Sequence, residues 1–139
     1  MGLKSRTKGA SGERELAALV HELTGWNVRR RVRQHEGDSD LEGVPGWSIE
    51  VKRHATATRS DIRVWYEQAQ KQSAPERLCP VLFYRRDRDE WRAVWPLAVT
   101  FHVLRTDVWE RYCDLDSSYD WTCEGSVQAW AAVARETQQ

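Results

Sequence analysis

The chain is short of the residues that staple small folds or carry them into membranes. It has three cysteines, four prolines, one methionine and two phenylalanines among 139 residues. Cys79, Cys113 and Cys123 form no CxxC pair, which argues against a disulfide framework. His102, Cys113 and Cys123 together offer only three zinc ligands, at a spacing that matches no usual pattern. Neither a signal peptide nor a long apolar run is present. The expectation is a cytoplasmic protein with free thiols and no membrane association. The length suits one domain with a core large enough to stand without staples.

There is also no net charge, but the zero conceals an uneven distribution. Residues 1–35 hold eight Lys/Arg against three Asp/Glu, a balance of +5. Residues 100–139 hold three against seven, a balance of −4. A polyanion is therefore expected at the front of the chain and not at its tail.

What is present concentrates in residues 38–52. Leu41, Trp47, Ile49 and Val51 alternate about Pro45-Gly46, the pattern of a two-stranded hairpin with one apolar face. Side chains alternate along a strand, so Asp40, Glu42, Ser48, Glu50 and Lys52 share the other face. A turn centred on Pro45 places Asp40 across from Glu50, at Cβ separations of roughly 4.5–5.5 Å. Two facing carboxylates beside a lysine are costly unless a cation sits between them. The ordinary alternative is a half-solvated hairpin whose lysine pairs with a carboxylate at the surface.

The order of these residues resembles the PD-(D/E)XK nuclease superfamily, and within it the archaeal type of Holliday junction resolvase and related small phage endonucleases. The resemblance rests on Lys8-Gly9, Glu13-Arg14-Glu15-Leu16, Ser39-Asp40-Leu41 and Ile49-Glu50-Val51-Lys52, and spans roughly residues 4–97. Serine stands where the family usually has proline before the aspartate. The implied fold is α/β: a restriction-endonuclease-like αβββαβ core with a mixed central sheet flanked by helices, over residues 1–99. Residues 100–139 would be a C-terminal helical extension packed on the same domain.

Read along the chain, residues 1–8 look like a flexible basic arm. A helix runs from about Ser11 to Thr24 on the stripe Leu16, Leu19, Val20 and Leu23, with Glu13 on its buried side and Glu15 suited to dipole compensation in its first turn. Trp26 to Arg33 reads as a strand with Trp26, Val28 and Val32 inward. Its arginines Arg29, Arg30, Arg31 and Arg33, with Lys8 and Arg53, make a candidate rail for phosphates, or else a charge-protected edge. His35 and His54 sit in loops. A second helix spans about Ser60 to Ser73, with Ile62, Trp65, Tyr66 and Ala69 on its apolar side and Gln68 and Gln72 one turn apart. Cys79 to Tyr84 and Glu90 to Trp95 read as strands, Leu97 to Leu104 as an apolar stretch, and Asp107 to Tyr112 as a short helix. Ser126 caps a last helix bearing Val127, Trp130, Ala131 and Ala134. The tail, with Trp109, Trp121 and Trp130, reads as a structural cap or subunit interface.

The resemblance implies hydrolysis of DNA phosphodiester bonds with Mg²⁺, for which Mn²⁺ may substitute. It implies Asp40, Glu50 and the Val51 carbonyl as metal ligands, Glu13 on a further water or ion, and Lys52 to orient or deprotonate the attacking water. It also brings a glutamine of the second helix close by, with Gln68 the candidate. Three functions stay open. The first is a structure-selective Holliday junction resolvase of DNA recombination, acting on four-way junctions as a homodimer. The second is a nicking, repair or restriction-like nuclease of the same superfamily. The third is a non-catalytic DNA-binding or assembly module. The compact size fits a phage gene.

Overall fold

The computed structural model describes residues 3–32, 39–104 and 118–138, and for 3–8 and 101–104 the backbone only. Helix α1 (Leu3–Thr24) is followed by two short strands, β1 (Arg29–Arg30) and β2 (Leu41–Glu42), and then by β3 (Trp47–His54). Next come α2 (Arg59–Ser73), β4 (Cys79–Arg86), β5 (Arg92–Pro96) and α3 (Leu97–Leu104). A 3-10 turn (Tyr119–Trp121), β6 (Thr122–Ser126) and α4 (Val127–Glu136) complete the described chain.

The main sheet has the order β3-β4-β5-β6. β3 and β4 are parallel, and the other pairs are antiparallel. A parallel pair needs a crossover between its strands, and α2 supplies it. Thr58 caps α2 by accepting from the Asp61 backbone N–H, while the Asp61 carboxylate accepts from the Thr58 N–H. Both faces of β3 and β4 are covered. On one face Leu16 and Val20 of α1 meet Ile49, Val51, Val81, Phe83 and Trp130 of α4. On the other, Ile62 and Tyr66 of α2 meet Leu82, Tyr84 and Val94. Each fully buried large side chain contributes about 1.5–3 kcal/mol. Trp130 packs edge-on against Phe83 and Trp47, with ring centroids 4.8 and 5.5 Å away.

The mixed α/β sheet flanked by helices is the expected fold class, with local corrections. Helix α1 begins at Leu3, so the stretch expected as a basic arm is helical, and Ser11 lies inside the helix rather than capping it. Gly12 lies on the side of α1 that packs closely on the sheet. Here its missing side chain lets α1 approach Arg53 and Trp91, which would lie 3.3 and 3.5 Å from an added Cβ. Glu15 is consequently mid-helix, where it accepts from Arg85 and from the Trp91 indole instead of compensating a dipole. Val32 points outward, 79% exposed, because β1 is only two residues long. β2 pairs antiparallel with β1, not with β3. The expected hairpin survives as a turn, with the Trp47 N–H on the Val44 carbonyl and side-chain bonds reaching across it. Leu97–Leu104 is helical, and β6 had no expectation. The tail enters the core through Trp130 and leaves Trp121 43% exposed. His35, Trp109, Cys113 and the helix expected over 107–112 lie outside the described residues.

Gly43, in the turn between β2 and β3, holds φ +95°, and a Cβ there would lie 2.1 Å from the Asn27 carbonyl oxygen. Gly43→Ala must therefore displace backbone. We expect a loss of stability on the order of 2 kcal/mol. A lower denaturant midpoint at unchanged slope would show it.

Candidate active site

β3 places Ser48, Glu50 and Lys52 on the face that α2 covers. Ser48 and Glu50 are therefore buried, each 3% exposed, where a half-solvated hairpin would have left them in water. Asp40, just before β2, is clamped from two directions. Its N–H donates to the Ile49 carbonyl at 2.8 Å, and its Oδ2 accepts from the Val51 N–H at 2.7 Å. The serine that replaces proline completes the clamp: Ser39 Oγ accepts from the Ile49 N–H at 2.9 Å and donates to the Leu41 carbonyl at 2.7 Å. Asp40 is thus bracketed between Ile49 and Val51, opposite Glu50. In an extended strand a residue's N–H and C=O point to the same side. The Val51 carbonyl accordingly faces the Asp40 side of the strand.

Lys52 Nζ lies 3.0 Å from Glu50 Oε1. The other oxygen, Glu50 Oε2, is buried with no hydrogen bond of good geometry. Gln72 of α2 comes close enough to favour the ionised form of Glu50, while its own Oε1 is buried and unmatched. Glu13 reaches the same region from α1, but its carboxylate receives Arg30 Nε at 2.5 Å.

Burial, then the neighbouring Glu50 charge, pushes the Asp40 carboxyl up to about 7; the Val51 N–H and Lys52 only partly oppose this. Glu50 is also raised, chiefly by burial, against the pull of Lys52 and Gln72. Two desolvated carboxylates with raised proton affinity want either a proton or a metal ion. Among the described residues no three His, Cys, Asp or Glu side chains converge on one point. The donors present at this point are two carboxylates and a carbonyl. That set fits Mg²⁺, which keeps several waters and binds through one or two carboxylates plus substrate phosphate. The orphaned Glu50 Oε2 is a ready acceptor for such an ion.

A pH dependence follows. A folded-state value raised from 3.8 to about 7 means that the native protein binds this proton more tightly than the unfolded chain. Its stabilising contribution is complete below about pH 4 and is lost as the pH rises to about 7. In EDTA, the melting temperature of the wild type is expected to fall relative to Asp40→Asn between pH 5 and 8. Parallel curves would contradict the assignment.

The structure does not bring all the expected residues together. Gln68 is exposed; Gln72, one turn later beside the buried Ala69 and Ser73, is the glutamine at Glu50. The phase of the α2 stripe Ile62, Tyr66, Ala69, Ser73 is the signal that distinguishes the two. Arg29 is exposed, 4.0 Å from an exposed Glu42. Arg31 donates its N–H to the Asp40 carbonyl. Arg53 is half-buried against α1, and its Nε has no hydrogen bond. The Lys8 side chain and Arg33 lie outside the described residues. Cys79 and Cys123 are free. Among the described residues no helix is long and apolar enough to cross a membrane.

A family model described as "Phage putative PDDEXK endonuclease" matches residues 4–131. The match continues past residue 97, where the motif resemblance stops, and takes in β6 and the first half of α4. No curated protein matches the sequence significantly. Among solved structures, Hjc of Archaeoglobus fulgidus, a Holliday junction resolvase from an archaeal hyperthermophile, is similar at 18% identity and a TM-score of 0.45. The alignment covers 62% of this chain and 70% of that one.

Proposed function

The chain belongs to the phage PDDEXK endonuclease family, a nuclease family of the PD-(D/E)XK superfamily, and from that premise we propose a divalent-metal-dependent DNA endonuclease centred on Asp40, Glu50 and Lys52. The observation that carries this reading is the clamp: Asp40 Oδ2 on the Val51 N–H, opposite a buried Glu50 that holds Lys52.

Asp40, Glu50 and the Val51 carbonyl would hold Mg²⁺, with Mn²⁺ as a substitute. When bound, the ion supplies charge neutralisation at the phosphodiester and a lower pKa for water. Lys52 has three N–H donors. One is committed to Glu50, leaving two for the attacking water and a phosphate oxygen. Its charge offsets the negative charge that develops on phosphorus oxygens in the transition state. Glu50 fixes the lysine, and Gln72 steadies Glu50. Glu13 acts through Arg30, holding that guanidinium at the site's edge for the DNA backbone. Among the described residues, Arg29, Arg31 and Arg53 are assigned the same role toward the DNA backbone.

Within this activity we put first a structure-selective Holliday junction resolvase, by family resemblance; the motifs alone do not separate it from a nicking, repair or restriction-like nuclease. Two symmetric cuts need two sites, so this reading carries a homodimer. The test is Mg²⁺-dependent cleavage of an end-labelled four-way junction beside linear duplex and single strands. Paired nicks confined to the junction are expected. Equal cutting of all three substrates would replace the resolvase with a general nicking or repair nuclease.

A further inference from the structure

A cavity beside the carboxylates is lined by the Gly43–Val44 turn, the start of β3 and the end of α2. We propose that it is a subsite for one unpaired nucleobase flanking the scissile phosphate, selective for bases that carry an exocyclic amino group. This rests on the nuclease reading above.

Size comes first. The cavity holds about 160 Å³, below the roughly 300–1,000 Å³ of self-sufficient small-molecule sites. It is the room of about five liquid waters, enough for one flat ring and its substituents. Such a pocket suits a fragment of a substrate anchored elsewhere.

Position gives the anchor. Ser48, in its wall, precedes Glu50 by two residues on the same face of β3, about 7 Å along the strand. That is one nucleotide's reach from a phosphate held at Asp40 and Glu50. Gln72 belongs to both places, lining the cavity and contacting Glu50.

Chemistry gives the class. Glu42 and Glu76 outnumber Arg31, the one cation in the lining, so a phosphate is disfavoured. Two carboxylates and the Ser48 hydroxyl supply acceptors there. Carboxylates accept from the amino group of cytosine, and adenine presents an equivalent donor. Leu78 offers an apolar surface to the ring face. Thymine has no amino group; its single ring N–H can meet one acceptor and leaves the rest unmatched. A paired base must first be unstacked and opened, so an unpaired or mispaired one enters preferentially.

The test uses the full chain and a bulged duplex whose nucleotide beside the mapped cut is cytosine, thymine or an abasic site, scanned on both sides. Wild type is expected to cut the cytosine substrate about tenfold faster than the other two. Leu78→Trp, which fills the cavity, should lower the cytosine rate to the abasic rate and leave the abasic rate unchanged. Glu76→Gln, an exposed change of charge alone, should narrow the cytosine-over-thymine preference. Equal wild-type rates on all three substrates would overturn the subsite while leaving the nuclease intact. Equal slowing of abasic and cytosine substrates by Leu78→Trp would overturn it as well. No cleavage of any DNA by wild type would remove the nuclease reading itself, and the subsite with it.

Discussion

Asp40→Asn is expected to lower DNA cleavage by at least about 10²–10³-fold, the cost of losing one preorganised group that stabilises developing charge, without destabilising the fold. The substitution keeps the side chain's shape and its acceptor for the Val51 N–H. It removes a charge that burial and Glu50 disfavour. Above pH 7 without metal, the variant should match or exceed wild-type stability, by up to a few kcal/mol given the size of the shift. Adding Mg²⁺ should reverse the order, since only the wild type keeps both ligands. Cleavage assays paired with melting curves in EDTA and in Mg²⁺ check both halves. A variant that is inactive because it is unfolded would contradict this account of Asp40.

Lys52→Met should have the second large effect, on activity and stability together. It removes the donor placed for water and phosphate, for another loss on the order of 10²-fold. It also leaves Glu50 buried without its ion-pair partner. Breaking a fully buried pair costs about 3–5 kcal/mol. Here Lys52 is 22% exposed and Glu50 can take up a proton, so a loss of about 1–3 kcal/mol is expected near neutral pH. Adding Glu50→Gln should restore most of the stability and none of the cleavage, because the neutral amide needs no counter-charge. Denaturant melts of the two single variants and the double variant measure this coupling. Additive losses of stability would contradict it.

Much of this arrangement was legible in the sequence, for identifiable reasons. The helices α2 and α4 carry periodic patterns that their burial repeats, as in Val127, Trp130, Ala131 and Ala134 on one stripe of α4, and β4 reads as the continuous apolar run of a strand covered on both faces. The opposition of Asp40 and Glu50 followed from alternation about Pro45-Gly46. What escaped depends on tertiary contact. Gly9, Ser11 and Gly12 are poor helix formers, yet the helix runs through them, and Gly12 sits against Arg53 and Trp91. β6 is too short and polar to announce itself; its pairing with β5 makes Thr122–Ser126 a strand. Gln68 and Gln72 are equivalent by composition and separate only once the phase of α2 over Glu50 is known. Ser39 gave no local hint that its hydroxyl would tie Ile49 to Leu41.

The most direct test of the central claim, that Asp40, Glu50 and Lys52 form a metal-dependent nuclease site, is cleavage of end-labelled DNA by wild type and Asp40→Asn at low salt. Each would be run with Mg²⁺ and with EDTA, after gel-shift confirmation that both proteins bind the DNA. The account predicts cutting by wild type in Mg²⁺ alone, and no cutting in the other three reactions. Wild-type cutting in EDTA, or an Asp40→Asn rate equal to wild type, would contradict it.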